Sequence, residues 1–279
     1  MADSQPFEIE LASGRVLHGL VELPAEPGPR PAVVVCHGFK GFMEWGFFPH
    51  LGHLLAARGF TTVRFNFHGG GMRPGDDLVT DTEAFAHATI ANDVLDIEGV
   101  LEAVTDGRIA PGRVDTGRLG LLGHSRGGGA AVLAAARSRR LSALVTWSAV
   151  ATFDRLPEDQ KAGWRLRGRV PVVNARTGQE LELDRSVLDD LVARAAEYDL
   201  EEAAGTQPAP WLIVHGEDDE TVPLAEARRL AAAAGDAGHL EVVPDASHTF
   251  GAVHPFAGPT VPLIQALNLT QTWLRKHLA

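Results

Sequence analysis

The chain has a single cysteine among 279 residues. One thiol cannot close an internal disulfide, so packing must hold the fold, and a reducing compartment is expected. Cys36 ends an apolar run and reads as a buried core thiol rather than a second nucleophile. No run of about 18 apolar residues occurs, and no basic, apolar leader opens the chain. A membrane partner is therefore not expected, and a cytoplasmic location is. Basic residues are outnumbered, 25 Lys and Arg against 36 Asp and Glu, for a formal charge of -11. Phosphate backbones are held by clustered Lys and Arg, so a nucleic-acid partner is not expected either. What the chain does have is bulk. Hydrophobic residues make up 45% and charged residues 22% of it, enough to bury a substantial core, and 279 residues fit one large α/β domain or two small ones.

The most informative stretch is LGLLGHSRGGGAAVL, residues 119–133. Its apolar start reads as a buried strand, its alanine-rich end as a helix packed closely on a sheet, and between them lies Gly123-His124-Ser125-Arg126-Gly127. A strand, a G-x-S-x-G turn and a helix in that order form a nucleophile elbow. A serine hydroxyl is a weak nucleophile unless it is held exposed and next to a base. A tight turn holds it so, glycines remove Cβ atoms that would clash, and the new helix leaves unpaired N–H groups beside the serine.

Strands and helices alternate through the rest of the chain. Residues 7–23 read as an antiparallel hairpin turning at Ser13-Gly14. A buried strand over 32–36 runs into His37-Gly38-Phe39-Lys40-Gly41. A helix is expected over 47–58, a strand over 61–67, and one amphipathic helix over 83–105 with apolar positions Ala86, Ile90, Val94, Ile97, Leu101 and Val104. Buried strands follow at 141–147, 211–214 and 240–243, with a helix over 224–234 and a closing helix over 262–277. The rhythm breaks at 151–205, which holds Arg155, Arg165, Arg167 and Arg169, a turn at Thr177-Gly178 and an expected helix over 186–202. A parallel crossover needs one helix, so about thirty residues there are surplus.

The elbow and the order of these elements resemble the α/β-hydrolase superfamily, and within it small bacterial esterases of the cinnamoyl-esterase or dienelactone-hydrolase-like kind. The resemblance implies a single α/β domain over 1–279, a mostly parallel sheet flanked by helices, with 151–205 as a cap insertion over the site. It also implies a serine esterase that needs no metal or organic cofactor and takes a small-molecule ester. The superfamily's chain order is Ser, then Asp or Glu, then His. Ser125 is followed by the acid run HGEDDETVP, which selects Asp219 over Asp218, and by DASHTF, which selects His248 over His254. The loop after the first parallel strand assigns one backbone oxyanion donor to Phe39, with Lys40 the neighbouring choice, and the elbow assigns the other to Arg126. His68-Gly69-Gly70-Gly71 copies the oxyanion signature of some lipases but comes one strand too late, and reads as a glycine-rich turn. Trp164 and Tyr198 are candidates to line a substrate pocket under the cap. His124 is expected to pack beneath the elbow. His50 and His53 lack an acidic or thiol partner at ligand spacing, so no metal is expected there. Dienelactone hydrolases use a cysteine where this chain has Ser125, so lactone specificity does not carry over. An amidase or aminopeptidase of the same fold, or a catalytically silent hydrolase-like binding protein, are the rival readings. Oligomeric state is not legible.

Overall fold

Alternating side chains set the sheet. In β3 (Arg30–Cys36), Val33 and Val35 join one apolar cluster, while Ala32, Val34 and Cys36 join the other. That period of two is what a strand buried on both faces requires. The computed structural model describes residues 3–174 and 177–278. Eight strands form one sheet, in the spatial order β1 (Asp3–Glu10), β2 (Val16–Leu23), β4 (Thr61–Phe65), β3, β5 (Val114–His124), β6 (Leu141–Trp147), β9 (Trp211–Gly216) and β10 (Gly238–Val243). The β1–β2 hairpin and the β2–β4 pair are antiparallel, and the other pairings are parallel. This is the α/β-hydrolase architecture expected from the sequence.

Helices cover both faces. Leu51 and Leu55 of α1 (Phe48–Ala57) share a cluster with Leu263, Leu267 and Leu274 of α9 (Val261–Leu278). Opposite them, the small residues of α4 (Ser125–Arg137) pack with Val94, Ile97 and Leu101 of α3 (Ile90–Thr105) and with Ala227 and Leu230 of α8 (Leu224–Ala234). Cys36 is fully buried in that cluster, and burial, with Asp93 and Asp96 nearby, pushes its thiol well above the ordinary value. A thiol held protonated in this way is no nucleophile. Among the described residues no helix is long and apolar enough to cross a membrane.

Two expected helices are each broken in two. The 83–105 segment is α2 (Thr82–Ala86) followed by α3, because Asp81 accepts from the Ala84 N–H at 2.9 Å and Thr89 from the Asn92 N–H at 3.2 Å. The 186–202 segment is α6 (Arg185–Ala193) followed by α7 (Leu200–Gly205), capped by Asp184 and Asp199. Apolar periodicity passes through such breaks, whereas an N-cap side chain starts a new helix. α7 packs against α4 and α8 and serves as the crossover to β9. The excursion therefore ends before Leu200 instead of at residue 205. It consists of α5 (Glu158–Arg167), an antiparallel hairpin of β7 (Arg169–Val173) and β8 (Glu180–Asp184), and α6.

Candidate active site

The parallel strands β3, β5, β9 and β10 all deliver loops to the same edge of the sheet, where open α/β sheets carry their sites. At the end of β5, Ser125 takes φ +57°, a left-handed conformation that is costly for a residue with a side chain. The turn closes only because its neighbours are glycines. A Cβ on Gly127 would lie 2.0 Å from the His37 carbonyl oxygen, and one on Gly123 would lie 2.4 Å from that of Gly127. Ser125 opens α4, so the first N–H groups of the helix, Arg126 among them, lack intrahelical acceptors.

The β3 loop passes directly over this turn. A Cβ on Gly38 would meet the Ser125 Cβ at 2.9 Å. His37 anchors the loop: its Nε2 accepts from the Phe67 N–H at 3.2 Å and its Nδ1 donates to the Gly38 carbonyl at 2.9 Å. Burial lowers its imidazole to about 4, so it stays neutral, as an acceptor at Nε2 must. Lys40 follows at φ +58°, and the Phe39 N–H has no acceptor among the described residues. Beneath the loop, Asn66 accepts from the Met43 N–H at 2.7 Å. Arg64 donates to the Met43 carbonyl while paired with Glu22, with both charged side chains buried. Arg64, Asn66 and Glu22 were not candidates from sequence; a charged Arg64 within TTVRF was the available signal.

Asp219 lies in the loop after β9 and is the buried member of its acidic run; Glu217, Asp218 and Glu220 are exposed. Its Oδ1 accepts from the Thr221 and Val222 N–H groups at 2.9 and 2.8 Å. Its Oδ2 accepts from His248 Nδ1 at 2.8 Å. Burial alone would raise this carboxyl, but the hydrogen bond and charge of His248, with the Val222 N–H, outweigh it and hold it below the ordinary carboxylate value. His215, buried on the strand beside it, donates from Nε2 to the Val222 carbonyl at 2.8 Å. Arg155, from the Arg-rich start of the excursion, braces the same loop by pairing with Glu226 at 2.7 Å and donating to the Thr221 carbonyl at 3.0 Å. Sequence reading gave Arg155 no such role.

The other histidines are committed elsewhere. His124 lies under the elbow, hydrogen-bonded through Nε2 to the His248 carbonyl at 3.0 Å. His254 Nδ1 accepts from the Gly46 N–H at 3.1 Å and its Nε2 lies 3.5 Å from Asp77. His53 Nδ1 donates to the Pro49 carbonyl of its own helix at 2.6 Å, and His50 lies against Phe256. No group of three metal-ligating side chains occurs among the described residues. His68–Gly70 forms a single 3-10 turn whose first N–H donates to Asp96.

Trp164 and Tyr198 are in packing positions rather than facing a pocket. Tyr198 is buried, with its hydroxyl donating to Asp190 at 2.8 Å and its ring edge-on to Phe153. Asp190 in turn accepts from the Ile90 N–H at the start of α3, so Asp190 fastens α6 to that helix and Tyr198 donates to the same carboxylate oxygen. Trp164 is 2% exposed and joins Leu181, Leu183, Val187 and Leu188 of the excursion in the same apolar cluster as α1 and α9. Trp164 is buried on an otherwise polar helix and Tyr198 joins the cluster of α3, α4 and α8, neither of which sequence spacing reveals.

Residues 33–258 match the alpha/beta hydrolase family. The chain belongs to that family. It is 28% identical over 211 residues to a 2,6-dihydropseudooxynicotine hydrolase from Paenarthrobacter nicotinovorans, covering 74% of this chain and 48% of that one. It is 25% identical over 283 residues to YuxL, an uncharacterized peptidase of Bacillus subtilis (strain 168), covering 99% of this chain and 39% of that one. The alpha/beta hydrolase chain described here thus spans less than half the length of these two relatives. Est1E from Butyrivibrio proteoclasticus, solved with bound ferulic acid, superposes with a TM-score of 0.73 at 20% identity over 97% of this chain and 98% of that one.

Proposed function

We propose that the chain is a serine esterase that cleaves small carboxylic esters through an acyl-enzyme. The observation that carries this reading is the Asp219–His248 hydrogen bond at 2.8 Å, on the sheet edge where Ser125 holds its strained turn. Asp219 accepts the Nδ1 proton, which fixes the imidazole as the tautomer with a free Nε2 lone pair. His248 then acts as general base, taking the Ser125 proton as Oγ attacks the ester carbonyl. The Arg126 and Phe39 N–H groups receive the oxyanion, a task that suits unpaired donors. His248 returns the proton to the leaving alcohol, and water repeats the sequence on the acyl-enzyme. Every proton is moved by His248, so the cycle requires no metal or organic cofactor.

The 151–199 excursion is the cap in this reading. Lys40 of the oxyanion loop donates from Nζ to the Val173 carbonyl of the hairpin at 3.2 Å, which supports a cap that reports on the site beneath it. The match to a peptidase favours one alternative, an amidase using the same three side chains. A fluorophosphonate probe should label the protein, and Ser125→Ala should abolish labelling. A panel of short-chain esters against aminoacyl amides then separates the two activities: turnover of esters alone supports the esterase, and faster turnover of amides overturns it.

A further inference from the structure

The two residues assigned to the oxyanion hole are also joined through their side chains. The Arg126 guanidinium lies over the Phe39 ring, with Cζ 5.2 Å from the centroid. The Phe39 ring stacks in turn on Phe85, centroids 5.6 Å apart and planes 24° apart. The Phe39 ring thus contacts a second aromatic and two cations, since the Lys40 Nζ also lies over it, 5.8 Å from the centroid. The guanidinium itself is fixed from behind: its Nε donates to Asp93 Oδ2 at 2.7 Å, and Nη2 donates to the Ala88 carbonyl. Asp93 is nearly buried and sits on α3, one of the rigid helices of the core.

We infer that the side chains of Arg126 and Phe39 are positioning residues that set the spacing between the two oxyanion donors. The inference rests on the proposed serine mechanism and deepens it. A strained loop whose Phe39 N–H has no acceptor among the described residues has little internal reason to keep that donor in place. The ring contacts supply the reason, because a ring held by the Arg126 guanidinium and by Phe85 cannot swing without breaking both contacts, and the backbone N–H travels with it. A planar, five-donor guanidinium can meet Asp93, the Ala88 carbonyl and the ring face together, whereas an ammonium cannot. Rotation of the Phe39 N–H away from the developing charge would weaken transition-state binding and leave ground-state binding untouched.

The test is a double-mutant cycle on ester turnover with Phe39→Leu, Arg126→Lys and both together, each checked by thermal unfolding. Each single variant should lower kcat about 10-fold with KM within about twofold, since misplacement of a reacting group by an ångström costs up to about 100-fold. The double variant should fall little further, because one stack is broken in each case; a product of the two losses would overturn the inference. Affinity for a trifluoromethyl ketone, which presents an oxyanion, should fall by the same factor as kcat. Phe39→Tyr keeps the ring and should recover most of the kcat and trifluoromethyl ketone affinity lost in Phe39→Leu, so this pair decides the matter even where Arg126→Lys does not fold. An unchanged kcat in Phe39→Leu, or a rise in KM alone, overturns the positioning role while leaving the esterase reading intact. Activity retained in Ser125→Ala is the separate outcome that removes the mechanism itself.

Discussion

Asp219 and His248 are 29 residues apart in the chain and 2.8 Å apart in space, joined Oδ2 to Nδ1. The remaining oxygen of Asp219 is filled by two backbone N–H groups of its own loop, so the carboxylate can turn neither away from the imidazole nor toward solvent. One bond thus fixes both the ring's orientation and its tautomer.

Asp219→Asn should preserve the fold and remove most of the rate. The amide oxygen can keep the Thr221 and Val222 N–H bonds, which turns the NH2 group toward His248 and forces the imidazole into the opposite tautomer. Its Nε2 then carries a proton and cannot serve as base, and kcat should drop about 10⁴-fold with KM little changed. Asp218→Asn, one residue earlier and exposed, should stay near wild type. Steady-state kinetics on a chromogenic ester compares the two, and equal losses would show that the acid has been misassigned.

Gly127→Ala should damage stability and activity together. The added methyl would stand 2.0 Å from the His37 carbonyl, a backbone atom with nowhere to go, since His37 is anchored on both sides. Forced overpacking of this kind costs about 1–3 kcal/mol. Relief must come from the β3 loop lifting off α4, which separates Phe39 from Ser125. Thermal unfolding and ester turnover should therefore decline in step, and a variant with normal kcat would contradict this account of the turn.

Which of these features could be read in the sequence depends on how local their causes are. Ser125, Asp219 and His248 each sit in a short motif at the end of a buried strand, and the strands themselves show as apolar runs, so topology alone brings the three to one edge. Arg64 with Glu22, and Asp93 with Asp96, are different. Apolar periodicity gives no reason for two aspartates of α3 to be buried, yet the 3-10 turn at His68–Gly70 and Arg126 cover them. Their burial is made by segments distant in sequence, and no pattern within the helix encodes it. Trp164 and Tyr198 fail for a related reason: an aromatic in an insertion reads the same whether it faces a ligand or packs into an apolar cluster with the rest of the fold.

The hairpin β7–β8 should loosen when a single side chain is cut. Gln179 grips Val79 from both ends of its amide, accepting from the Val79 N–H at 3.0 Å and donating to the Val79 carbonyl at 2.7 Å. Arg169 adds a two-pronged pair with Glu83 at 3.1 and 3.0 Å, exposed and therefore worth little. Gln179→Ala removes two neutral hydrogen bonds, about 1–2 kcal/mol together, so hydrogen exchange across β7 and β8 should accelerate roughly 5- to 30-fold. The amides of β5 and β6 serve as the internal reference. Unchanged exchange in the hairpin would mean that other contacts hold it down.

Asp96 and His37 should push stability in opposite directions across the same pH range. Burial, opposed by Arg15 and the His68 N–H, raises the Asp96 carboxyl from 3.8 to about 7, so the folded protein holds a proton there that the unfolded chain has lost. Its contribution is fully present below pH 3.8 and disappears as pH rises through about 7. His37 runs the other way: burial lowers it from 6.5 to about 4, so its contribution is present above pH 6.5 and disappears as pH falls through about 4. In the wild type the two slopes partly cancel between those limits. Asp96→Asn can still accept from the His68 N–H but no longer titrates, which leaves the His37 slope unopposed. Denaturant unfolding at intervals from pH 4 to 7 should show stability climbing more steeply in Asp96→Asn than in wild type, whatever the vertical offset between the curves. Parallel curves would mean that Asp96 is already ionised at pH 4, with Arg15 at 3.0 Å compensating fully for its burial.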